Sequence, residues 1–186
     1  MLFRNVGGRE LPPPEHQRVE FYGWDLVPGD FDGDRDLDLV FVNFFDHHSL
    51  IHPPLHEMLV LKNDGSGRFS PAGRFDVGEH PVHGTAADFD GDGDLDIAVS
   101  RFHQNKNYIR HVSVLWNQGD GSFGEPSSIP TIWDQREIAS GDLDGDGLPE
   151  IVVGGRRDTA PWEGGRLAII PNLGDGRFGD SRVLEI

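Results

Sequence analysis

The chain has no cysteine, so neither a disulfide framework nor a thiolate metal site is available to it. It is short of positive charge: 16 lysines and arginines stand against 32 aspartates and glutamates, a formal net charge of −16. That balance makes nucleic acid and anionic membrane poor partners for the bulk surface. No apolar run approaches the ~18 residues that span a bilayer, so no membrane insertion is expected in this segment. The opening residues, MLFRNVGGRE, carry no apolar leader segment. Few long stretches are free of both glycine and proline, of which there are 25 and 13. That argues against a helical protein and for short strands with frequent turns. No catalytic motif is present, and nothing pairs a nucleophile with a base.

What is there repeats. GDFDGDRDLDLVF begins at Gly29, ADFDGDGDLDIAV at Ala87 and GDLDGDGLPEIVV at Gly141. Between them runs a second element: NDGSGRF from Asn63, NQGDGSF from Asn117 and NLGDGRF from Asn172, with a worn copy, NVGGREL, at Asn5. The aspartate element recurs after 58 and then 54 residues, and the asparagine element after 58, 54 and 55. Two interleaved motifs that keep one period define a structural repeat.

Each unit reads as four short antiparallel strands, A to D. In the second unit Thr85 to Ala87 leads into the acidic loop, Leu95 to Val99 is an apolar run of strand length, and Val112 to Trp116 ends at an Asn-x-Gly-x-Gly turn. Phe123 to Ile129 continues beyond that turn. Glycine accepts positive φ cheaply, so such a turn between extended segments signals a hairpin. Strand B is apolar on both faces, as a strand sandwiched between layers is. A four-stranded sheet repeated at about this length is a propeller blade. The expected fold is therefore all-β, a partial β-propeller of three full four-stranded antiparallel blades plus the outer half of a preceding one. Its divisions are 1–21 for the outer strands of a preceding blade, 22–76, 77–130 and 131–186 for blades one to three, all in one domain. Closed propellers have about four to eight blades, so the chain is expected to be a fragment whose partners include the remaining blades of a parent propeller.

These units resemble FG-GAP/VCBS repeats, the blades of the integrin alpha-subunit propeller and of many bacterial extracellular proteins. The resemblance runs from Asn5 to about Ile186 and rests on the D-x-D-G-D-G-x-x-D loop. It implies that this loop joins strands A and B and binds one calcium ion, about three Ca2+ in all. Calcium takes six to eight oxygens at about 2.3–2.6 Å, which a curled run of carboxylates supplies. In loop two Asp88, Asp90, Asp92 and Asp96 stand at positions one, three, five and nine, with the backbone carbonyl of Asp94 at position seven. The corresponding ligands are Asp30, Asp32, Asp34, Asp38 and the carbonyl of Asp36 in loop one. In loop three they are Asp142, Asp144, Asp146, Glu150 and the carbonyl of Leu148. Two positions depart from the pattern. Arg35 stands where the other loops have glycine, and Glu150, preceded by Pro149, replaces the last aspartate. An EF-hand is excluded, because it needs flanking helices and a glutamate at position twelve, where this chain has Val99 and Val153.

With the A–B loops and C–D turns on one rim, the other rim receives the longer and more varied connections. Variable loops on one rim of a repeated scaffold are where binding concentrates. Trp24, Trp133 and Trp162 there suit stacking on sugar rings, or packing between blades. Arg101, Arg136, Arg156 and Arg157 suit two-pronged hydrogen bonds to carboxylates or sulfates. His47, His48, His83 and His103 add polar candidates. A second metal cluster of His47, His48, His52 and His56 is opposed by Pro53 and Pro54, which prevent the helix that would align the last two.

The expected role is a calcium-binding propeller serving extracellular adhesion, or protein or carbohydrate binding, in a secreted or cell-surface setting. The alternative is the propeller part of a carbohydrate-active enzyme such as a polysaccharide lyase or sugar dehydratase. Its active site would lie opposite the calcium loops, with His83, Arg136 and Glu137 at the central opening.

Overall fold

The structure, a computed structural model, describes residues 23–43, 56–101, 111–132, 135–156 and 165–185. These form twelve strands and no helix among the described residues. Sheet one holds β1 (Gly23–Gly29), β2 (Asp38–Asn43), β3 (Glu57–Asn63) and β4 (Phe69–Asp76). Sheet two holds β5 (Pro81–Ala87), β6 (Asp96–Arg101), β7 (His111–Leu115) and β8 (Ser127–Pro130). Sheet three holds β9 (Gln135–Gly141), β10 (Glu150–Arg156), β11 (Gly165–Ile170) and β12 (Arg182–Glu185). Within each sheet the strands lie in chain order and every pair is antiparallel. The expected all-β architecture of four-stranded blades is the observed one.

The first strands of the sheets touch one another, β1 against β5 and β5 against β9. Asp25 Oδ2 on β1 accepts the Gly84 N–H at 2.8 Å, and Thr85 Oγ1 lies 2.8 Å from Ser140 Oγ on β9. Gly84 is required by this closeness, since a Cβ there would lie 2.9 Å from Val27 Cγ2 and 3.1 Å from Val42 Cγ2. Inner strands crowded together in this way set the sheets radially, as propeller blades are.

Two apolar layers fill the seams. Val27, Val40, Val42, Met58 and Val60 of sheet one pack against Ile97, Val99 and Leu115 of sheet two. The alternate residues of sheet two, Ala98, Val112 and Val114, pack against Ile151, Val153, Ala168 and Ile170 of sheet three. Strand β6 is therefore buried on both faces. In β2, Leu39 and Phe41 on the other face stay partly exposed. Fully burying an aliphatic side chain contributes roughly 1.5–3 kcal/mol, so these layers are the main attraction between sheets.

Strand D differs from the expected Phe123–Ile129. In sheet two the asparagine turn closes on one isolated bridge, Asn117 to Phe123, and regular pairing resumes only at Ser127. Between them lies Gly124-Glu125-Pro126, and Pro126 has no N–H to give a ladder.

A polar clamp crosses each seam at the rim that carries the acidic loops. Asn117 Nδ2 donates to the Leu95 carbonyl of its own sheet at 3.0 Å and to the Phe31 carbonyl of sheet one at 2.8 Å. Asn172 repeats this with Pro149 at 3.2 Å and Phe89 at 2.9 Å. The rings interlock beside it: Phe31 meets Phe123 edge-on at 6.1 Å, and Phe89 meets Phe178 at 5.9 Å. Asn117→Ala removes both donors and leaves buried carbonyls unpaired. At about 1 kcal/mol per bond with an added desolvation cost, it should lower unfolding free energy by about 2–4 kcal/mol in urea melts. A loss below about 0.5 kcal/mol would show that the clamp does not hold the seam.

Candidate metal centre

Each acidic loop is curled by its own aspartates. In loop two the Asp88 carboxylate accepts the Gly91 N–H at 2.7 Å and the Gly93 N–H at 3.0 Å. Asp90 Oδ1 accepts from Asp92 N at 3.2 Å, and Asp92 Oδ1 from Asp94 N at 2.9 Å. Loop one repeats the pattern through Asp30, Asp32 and Asp34, and loop three through Asp142, Asp144 and Asp146. Short Asx bonds of this kind supply the turn that the backbone alone would not hold.

The ninth residue ties the loop to the core. Asp96 is fully buried, with Oδ2 accepting the Phe89 N–H at 3.0 Å and Oδ1 the Asn117 N–H at 2.9 Å. Asp38 does the same with Phe31 at 3.1 Å and Asn63 at 2.8 Å. Glu150 keeps half of this arrangement. Its Oε2 accepts the Leu143 N–H at 2.8 Å, while its Oε1 is buried without a hydrogen-bond partner among the described residues.

The carboxylates converge. Ligand atoms of Asp30, Asp32 and Asp38 all lie within 4.8 Å of one another, as do those of Asp88, Asp90 and Asp96, and of Asp142, Asp144 and Asp146. Asp34, Asp92 and Glu150 are not in these tight groups. At position seven the side chains turn away to the asparagine turn of their own sheet. A Cβ on Gly65 would lie 2.6 Å from Asp36 Oδ2, one on Gly119 2.8 Å from Asp94 Oδ2, and one on Gly174 3.6 Å from Leu148 Cδ1. Sequence spacing shows which residues share a loop, whereas their side-chain directions come only from the fold.

Electrostatics follows the burial. Desolvation pushes the Asp96 carboxyl up to about 7, against the pull of the Asn117 and Phe89 donors and aided by the Asp90 and Asp92 charges. Burial likewise raises Asp38 and Asp90. Arg35 adopts φ 75°, where the other loops have Gly93 at 99° and Gly147 at 90°. The positive φ that its position demands is thus carried by a residue with a Cβ, at a cost of roughly 1 kcal/mol.

On the other rim, Trp24 is 65% exposed and Arg136 is exposed. His83 Nδ1 lies 3.4 Å from Asp25 Oδ2. Arg101 is engaged in the fold, its Nε donating to the Glu79 carbonyl at 2.8 Å. Burial pulls its pKa down, opposed by Glu79 and Asp76. His47, His48, His103, Trp133, Arg157 and Trp162 lie outside the described residues, as does the side chain of Arg156. So do residues 1–21 of the expected preceding blade and His52 of the histidine cluster. The cross-seam role of the clamp asparagines is not legible in their local sequence, which reads as a turn. Their signal was the fixed period they share with the acidic loops.

A family profile described as an FG-GAP-like repeat matches residues 50–99 and 103–153, more than half of the chain. No curated protein matches the chain.

Two outcomes are expected. A carboxyl whose folded pKa is raised stabilises the fold below its unfolded value, near 4, and loses that contribution as pH rises through its folded pKa. In chelator, stability should therefore fall between pH 5 and 7 by up to about 1.4 kcal/mol per pH unit, and Asp96→Asn should flatten the slope. An unchanged slope in that variant would assign the dependence elsewhere. Arg35→Gly should raise the melting temperature, gaining up to about 1 kcal/mol. A lower melting temperature would show that the arginine side chain outweighs the strain.

Proposed function

Because the chain belongs to the FG-GAP-like repeat family, we propose that it is a calcium-binding propeller segment of a secreted or cell-surface protein, serving adhesion or the binding of protein or carbohydrate. The observation that carries this is the convergence of three carboxylates in each of three loops, with ligand atoms within 4.8 Å of one another. Oxygens about 2.4 Å from a common ion lie no further apart than that. The donor set is all oxygen, which suits a hard cation. Glu150 lies outside the converging group of loop three, but its Oε1 is buried with no hydrogen-bond partner among the described residues.

The ligands would be the carboxylates at positions one, three, five and nine, with the carbonyl at position seven. The orientation of Asp36 and Asp94 toward their glycine turns favours the carbonyl there. When bound, calcium would offset the mutual repulsion of the loop carboxylates. Extracellular calcium modules bind with Kd of about 10⁻⁴–10⁻³ M, so millimolar calcium would add on the order of 1 kcal/mol per loop. Cytosolic calcium would add almost nothing, which favours the extracellular setting.

Further blades are proposed as partners. Position two of loops one and two is covered by the clamp of the following sheet, with Phe31 1% and Phe89 0% exposed, whereas Leu143 of loop three is 58% exposed. A fourth blade would cover it as Phe123 covers Phe31.

Native mass spectrometry should count three calcium ions in the chain, two in Asp90→Asn and three in Asp94→Ala. No bound calcium at millimolar concentration would overturn the proposal. Loss of an ion in Asp94→Ala would reverse the ligand assignment at position seven.

A further inference from the structure

The two seams use equivalent motif positions, and the exchanges between them include Trp116 for Lys62 and Arg177 for Ser122. At the first, Lys62 Nζ lies 3.2 Å from Asp32 Oδ2 and donates to the Asp120 carbonyl of the next sheet at 2.8 Å. Its stem passes Gly121, where a Cβ would lie 3.2 Å from Lys62 Cε and 3.7 Å from Asp32 Cβ. At the second seam the same motif positions hold Trp116 for Lys62, Asp90 for Asp32, Asp175 for Asp120 and Gly176 for Gly121. The surroundings of the glycine are preserved, since a Cβ on Gly176 would lie 3.4 Å from Trp116 Cη2 and 3.6 Å from Asp90 Cβ, while Asp175 takes φ 55° where Asp120 has no positive φ. The indole takes the place of the lysine stem, and it brings no ammonium group.

What remains is a groove of about 430 Å³ lined by Asp90, Gly91, Asp92, Trp116, Asp175 and Gly176. It shares Asp90 and Asp92 with the acidic loop proposed to hold the metal, while Trp116, Asp175 and Gly176 form its other walls. Trp116 is held in place, stacked on Phe178 at 22° with its Nε1 donating to Ser127 Oγ at 3.1 Å. The chain's own cation nearby, Arg177, turns to Asp175 Oδ2 at 3.7 Å and to the Gly174 carbonyl at 3.4 Å.

We propose that this groove binds the side chain of a lysine presented by a partner protein. The ammonium would sit between the Asp90 carboxylate and the Asp175 carbonyl, with the alkyl stem along the indole, as Lys62 sits at the first seam. A compact ammonium with three donors suits one carboxylate and one carbonyl better than a planar guanidinium does. The aromatic wall adds attraction for a cation, which an exposed ion pair alone would supply only weakly. The formal charge of −16 favours a basic partner and speeds its approach.

The test is an amide and indole NMR titration of the calcium-loaded chain with Nα-acetyl-lysine amide, against Nα-acetyl-norleucine amide and glucosamine. Saturable shifts at Gly91, Gly176 and the Trp116 indole are expected with the lysine probe alone. Trp116→Lys supplies an internal ammonium and should weaken binding at least ~10-fold, a loss of about 1.4 kcal/mol. Because that variant also loses the stack on Phe178, the reciprocal Lys62→Trp is the second arm and should create a second site at Asp32 and Asp120. Equal shifts with norleucine, no saturable shift with lysine, or no new site in Lys62→Trp would overturn the proposal. A preference for glucosamine would overturn the assignment to a protein partner. Calcium occupancy is measured separately, so the two readings fail independently.

Discussion

In the first two repeats, loop, turn and seam all depend on one buried carboxylate. Asp96 has no contact with solvent, yet it accepts a backbone N–H from the acidic loop and another from the asparagine turn. It joins the two elements that would otherwise be separate excursions from the sheet. Taking a carboxylate out of water is expensive, and the upward push on its pKa is the signature of that cost. The arrangement persists because both oxygens are occupied and because the same asparagine reaches the next loop upstream.

That reach makes the repeats interdependent. Asn117 and Phe123 hold the loop of sheet one, and Asn172 and Phe178 hold the loop of sheet two. A loop is therefore shaped by its own aspartates but fixed in place by its neighbour. In a repeat array stability is carried by such nearest-neighbour interfaces. The rim bearing the loops then does two things: it gathers carboxylates that could hold a cation, and it seats one side chain across each seam. Where that side chain is lysine the seam closes on itself, and where it is tryptophan a groove is left.

Much of this was legible in the residues. The shared period of two motifs, the turn chemistry of Asn-x-Gly-x-Gly and the apolar runs sufficed for four-stranded antiparallel blades, because these are local features with fixed backbone consequences. The positive φ at Arg35 could be anticipated from the glycines at equivalent positions. The outer strand was less legible. Phe123 to Ile129 has a strand's composition, but Pro126 interrupts its pairing, and β8 begins only at Ser127.

The sequence by itself determined the repeat, the strand order and the residues that share each loop, since spacing along a chain dictates which backbone groups can curl together. Only the tertiary structure decided where the side chains point. Asp90 faces the cluster while Asp94 faces Gly119, although both are aspartates in one loop. Asn117 reads as a turn residue until its amide is seen beside the Phe31 carbonyl, 86 positions away. Lys62 and Trp116 stand at equivalent positions, and their difference acquires meaning only when the neighbouring sheet supplies Asp120 and Asp175. The reason is physical: periodicity encodes local geometry, whereas a seam is a contact between surfaces that exist only after each sheet has formed.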